Sequence, residues 1–197
     1  MAPVLAHARA DVALIEHLAQ APIGRHALHE AGLMWGASRP AGWRELGPPS
    51  PRRHITIMRL AGLDAALRAT RLLSGSTWAV VDDGPDGAFD VGVSASDWYR
   101  IIRCLTATRR EATRILAAGD ATERRRELAR AAWRVAVLGW LKDVDVDALT
   151  VLVRDRALRA LLPIAAAVLD LQPRGNDACL TIASRHNVLR LLEQTRM

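Results

Sequence analysis

Lysine is almost absent from this chain: Lys142 is the only one among 27 basic residues, and the rest are arginine. Cysteine is nearly absent too. Cys104 and Cys179 are too few for a disulfide framework, and neither has a partner at metal-ligand spacing. That excludes a cysteine-stapled scaffold and a zinc ribbon, and it predicts a reducing, cytoplasmic setting. Long apolar runs are missing. The one from Leu161 to Leu169 is interrupted by Pro163, so nothing predicts a membrane span. Met1 to Gln20 carries Asp11 and Glu16 and reads as an amphipathic helix rather than a signal peptide. There is no phosphate loop, nucleophile elbow or zinc motif. The expectation is a protein that is not an enzyme, with no cofactor and no metal.

Weaker signals are better explained by structure than by chemistry. His26 and His29 stand three apart beside Glu30, yet no third ligand lies at a recognisable spacing. Asp82, Asp83, Asp86 and Asp90 surround a tight turn, where Asp serves backbone geometry. The chain has six Trp against one Tyr and one Phe, and Trp78, Trp98, Trp133 and Trp140 fall on faces that read as buried. Trp43 differs. It lies with Arg44, Arg52 and Arg53 in a Pro/Gly-rich loop, Ser38 to His54, a candidate interface with a partner.

What is present is arginine, and it is concentrated. Between Trp98 and Arg134 stand ten arginines against four acids, a surplus of six that equals the net charge of the whole chain, +6. A GC-rich coding sequence would raise arginine everywhere and would not place the whole surplus in one segment. A segment of this kind suits a polyanion. With Arg100 at 0° and about 100° per residue, Arg103, Arg110 and Arg114 fall near 300°, 280° and 320°, while Ile101, Leu105, Ala112, Ile115 and Leu116 fall between roughly 60° and 160°. One helix face is apolar and the opposite face is an arginine ladder. Arg109 belongs to the same segment, and Arg124, Arg125, Arg126 and Arg130 open the next helix. A solvated face of salt bridges, such as Glu123 to Arg126 or Arg130, is the competing explanation.

Periodicity predicts a mainly α fold: a helical bundle with one short β-hairpin at about residues 77–93. Helices are expected over Pro3–Ala19, Arg25–Trp35, Ile55–Leu73, Trp98–Ala118, from Thr122 to near Lys142, from Asp145 or Asp147 through Leu162, and over Asp177–Glu193, with Gln172 to Asn176 as a turn. The hairpin is read from apolar runs flanking Asp83-Gly84-Pro85-Asp86-Gly87. A single domain, 1–197, is the expectation, with an N-terminal lobe 1–75 and a C-terminal lobe 94–197 joined by the hairpin as the other division. No internal repeat is visible in the sequence.

In size, helicity and the ladder Arg100, Arg103, Arg110, Arg114 with Arg124 to Arg126, the chain resembles the small helical subunit family of CRISPR ribonucleoprotein effector complexes. The resemblance implies a subunit that stacks along an effector backbone and contacts guide or target strands without reading sequence. The functional expectation is a non-catalytic subunit that binds single-stranded RNA or DNA, beside other protein subunits or further copies of itself. The alternatives are a helix-turn-helix transcription regulator, suggested by Glu127-Leu128-Ala129-Arg130-Ala131-Ala132, or an adaptor for an acidic protein partner.

Overall fold

The computed structural model describes residues 12–39, 54–120, 122–145, 147–175 and 179–196. The Trp43, Arg44, Arg52 and Arg53 loop lies outside them, as do the first eleven residues. The chain divides into two compact units, residues 23–113 and residues 1–22 with 114–197. The hairpin lies inside the former and joins no lobes. A first helix, α1, covers residues 12–19.

The unit 23–113 holds α2 (Ala27–Ala37), β1 (His54–Leu60), α3 (Leu63–Leu73), β2 (Ala79–Asp83), β3 (Phe89–Ser94) and α4 (Ala95–Ala117), whose last turn crosses into the other unit. The three strands form an antiparallel sheet in the order β1-β3-β2. The predicted β2–β3 hairpin is present, and its turn needs left-handed backbone at Asp86 (φ 57°) and Gly87 (φ 73°), which Asp and Gly tolerate best. Strand alternation puts Met58, Val91 and Val93 on the covered face. They join Leu33, Met34, Leu73, Ile101 and Leu105 in a core where each is at most 2% exposed. Such burial is worth about 1.5–3 kcal/mol per large side chain. Arg68 of α3 enters this core and is held by Glu30 of α2 through two bonds, 2.9 and 3.2 Å.

The other unit holds α5 (Glu123–Trp140), β4 (Leu141–Val144), β5 (Ala148–Leu152), α6 (Arg156–Val168), β6 (Pro173–Gly175), β7 (Cys179–Ala183) and α7 (Arg185–Arg196). Its sheet runs β4-β5-β7-β6. Leu149, Val151, Leu180 and Ile182 form the covered face, while Thr150 and Thr181 face each other across the open one at 3.0 Å. Thr122 caps α5 and Asp155 caps α6, each accepting from a backbone N–H three residues on. Trp133 is fully buried, and Arg134 donates to the Thr195 carbonyl of α7 at 2.5 Å.

Several expectations are corrected here. The fold has two antiparallel sheets, not one hairpin. Ile55–Leu73 is a strand followed by a helix, and Asp177–Glu193 contains β7 before α7. The Gln172 to Asn176 turn contains β6. Asp145 caps no helix; its Oδ1 accepts from Asp147 and Ala148 N–H at 2.7 and 2.6 Å, closing the β4–β5 turn. A repeat does exist, in topology. Strand, helix, strand, strand, helix occurs as β1-α3-β2-β3-α4 and again as β5-α6-β6-β7-α7, with the third strand central each time.

Candidate nucleic-acid interface

The arginine ladder begins with α4, which forms as its periodicity dictates. Ile101, Leu105, Ala112 and Leu116 are completely buried, and the opposite face is open. Arg103, Arg110 and Arg114 all stand exposed on that open face. The same angular arithmetic places Tyr99, Thr106, Ala107 and Thr113 among them, and no acid. The two acids on α4 are engaged elsewhere: Asp97 with Arg100 at 2.8 Å, and Glu111 with His29 at 3.1 Å. The row from Tyr99 to Arg114 rises about 22 Å, with about 10 Å between Arg103 and Arg110 and about 6 Å between Arg110 and Arg114.

The remaining arginines of the segment have local work. Arg100 donates to the Ser76 carbonyl at 2.7 Å as well as to Asp97. Arg109 is half-buried and lies along Gly36 of α2, where a Cβ would overlap its side chain. At the start of α5, Arg126 and Arg130 lie 3.7 and 3.1 Å from Glu123, the salt bridges read from sequence. Arg125 donates its Nε to the Leu116 carbonyl at 3.0 Å, and Arg124 is half-buried. Arg134 is buried in the core.

Charge pairing shows in the titrating groups. The hydrogen bond from Arg100, and then that from Thr77, hold the Asp97 carboxyl below the usual carboxylate range. Arg59, bonded to Asp90 at 2.7 and 2.9 Å, has its basicity raised by that hydrogen bond. Two of the four hairpin aspartates are thus accounted for: Asp90 by Arg59 and Asp86 by its turn. His26 and His29 meet edge to face at 5.2 Å. Among the described residues no three His, Cys, Asp or Glu side chains converge as a metal site would need.

Two exposed rings escaped the sequence reading. Trp78, expected to be buried, is 81% exposed, and Tyr99 is 64% exposed with the Arg103 guanidinium 5.6 Å from its ring centroid. The position of Tyr99, four residues before Arg103, was the available signal. The run Glu127 to Ala132 is followed by no turn, as a helix read from Thr122 to near Lys142 requires. α5 runs unbroken from Glu123 to Trp140, and Leu128, Ala129, Ala131 and Ala132 are core residues. No described helix is long and apolar enough to cross a membrane.

Neither a protein-family model nor a curated protein sequence matches the chain. Solved structures do. Full-length DUF199/WhiA from Thermatoga maritima superposes with a TM-score of 0.58 at 14% identity, over 92% of this chain and 60% of that one. The N-terminal LAGLIDADG domain of DUF199/WhiA superposes with a TM-score of 0.59 at 15% identity, over 94% of this chain and 91% of that one. These likenesses overturn the resemblance to CRISPR effector subunits, which rested on size, helicity and the arginine ladder; the chain carries two sheets and a different fold. The chain spans about three fifths of full-length WhiA, and what it shares at this identity is the fold of that protein's LAGLIDADG domain.

Proposed function

We propose that this chain is a non-catalytic, DNA-binding regulatory protein of the cytoplasm that holds the phosphate backbone along the outer face of α4. The observation that carries this reading is the row Arg103, Arg110 and Arg114, exposed on one helix face with no acid among them. Unneutralised guanidinium groups bind phosphate oxygens bidentately and release condensed counterions as they do so. The arginines of α5 contribute less, because Glu123 already pairs two of them. A WhiA-like fold favours a regulator over a subunit of a ribonucleoprotein. In this reading the row contacts phosphates, which position the protein on DNA and carry no sequence information directly.

The test is the affinity for a mixed-sequence duplex, followed by fluorescence anisotropy across a range of salt. Three phosphate contacts give a log–log slope of about −3. Affinity that ignores salt, or no binding at low salt, contradicts the proposal. Binding to a polyglutamate chain in preference to DNA would favour the adaptor for an acidic protein.

A further inference from the structure

The outer face of α4 carries a ring that phosphate contact leaves unused. Tyr99 and Trp78 are, among the described residues, the aromatic side chains left most open. Both project from anchored backbone. Thr77 Oγ1 lies 2.7 Å from Asp97 Oδ2, and Arg100 donates to the Ser76 carbonyl and to Asp97. These bonds tie the segment before β2 to the first turn of α4. Trp78 follows Thr77 directly, while Tyr99 stands two residues past Asp97 and so leaves α4 on the opposite side from the bond to Thr77.

Arg103 sits within cation–π range of the Tyr99 ring, so its guanidinium is held at the start of the phosphate row. Phosphates need charge and donors, not rings. A ring beside guanidinium groups is what stacks on the flat face of a nucleobase. In a continuous duplex those faces are covered by neighbouring bases. In a bubble, gap or single strand they are open.

We propose that Tyr99, with Arg103, stacks on unpaired bases, so that the protein prefers DNA containing unpaired bases over continuous duplex. This rests on the DNA-binding reading above and adds a substrate preference to it. The partner chemistry is polyanion plus exposed base: the arginines meet the phosphates next to the base that the ring receives.

The test compares two labelled DNAs of equal length and charge, one fully paired and one with a central mismatched bubble. The full chain should bind the bubble more tightly by about fivefold or more, the effect expected of one stacked base. Tyr99→Phe should keep that preference. Tyr99→Ala should bring the ratio towards one, because the stacking ring is gone. Equal affinity of the unaltered chain for both DNAs overturns the inference and leaves the DNA-binding reading standing. So does a ratio unchanged in Tyr99→Ala. Loss of folding in Tyr99→Ala, seen as a lost thermal transition, would make the ring structural and overturn the inference too. No binding to either DNA would overturn both readings.

Discussion

Arg68 is 1% exposed, and Glu30 accepts two of the hydrogen bonds that a guanidinium needs in that position. Arg134, Arg59 and Arg100 are likewise assigned to a carbonyl or a carboxylate. Arg103, Arg110 and Arg114 are what remains exposed on α4. Sequence could not make this division for Arg68, whose acid lies 38 residues away. It could for the α4 row, where helical angles separate the faces. Glu30→Ala should cost about 3–5 kcal/mol in denaturant unfolding, because it strands a buried charge. Glu30→Met with Arg68→Leu should recover most of that loss, and a single variant that unfolds like the unaltered chain would contradict the pairing. Asp97 gives a pH test. Its carboxyl is lowered in the folded chain, so its stabilisation is fully present above about pH 4, the unfolded value, and fades as pH falls through the folded value. Asp97→Asn should therefore melt lower than the unaltered chain at neutral pH, and the gap should close in strong acid. A gap that persists at low pH would assign the effect to packing.

Elements with one clean period were legible, and junctions were not. α4 was placed within a few residues of Ala95–Ala117 because its apolar positions repeat at helical spacing over six turns. The β2–β3 hairpin was legible because Pro, Asp and Gly sit together in its turn. β1 and β7 were absorbed into helices. Only Ala61 and Gly62 separate β1 from α3, and only Ser184 separates β7 from α7, so two periods run together without a strong breaker. A bulge between Thr56 and Met58 further spoils the alternation of β1. Close packing between helices was invisible in sequence. At Gly32 of α2, a Cβ would lie 2.7 Å from Thr108 Oγ1, and 2.9 Å from both Arg109 N and the Leu105 carbonyl oxygen of α4. Two of those atoms are backbone and cannot swing away. Gly32→Ala should destabilise by about 1–3 kcal/mol, as overpacking does. Gly36→Ala should cost less, since the three atoms nearest to its Cβ all belong to the flexible Arg109 side chain. Equal melting temperatures for the two variants would refute that distinction.

At the scale of the whole molecule, the topological repeat left no mark that could be read in the sequence. Burial pattern defines a strand–helix–strand–strand–helix unit, and many sequences satisfy it, which is also why solved structures match at 14–15% identity while no sequence family does. The charge surplus was legible from the start, because arginine number and position need no fold to be counted. Its meaning needed the structure, which separates the arginines engaged in holding the fold from those presented outward. The central claim is that the outward row of α4 is a DNA surface. Arg103→Glu with Arg110→Glu tests it most directly, measured as duplex affinity against salt beside the melting temperature of the same sample. Both side chains are exposed, so stability should change by no more than about 0.5 kcal/mol. The account predicts a folded protein with much weaker binding and a salt slope smaller by about two. A folded double variant that binds DNA with unchanged affinity and slope would contradict it.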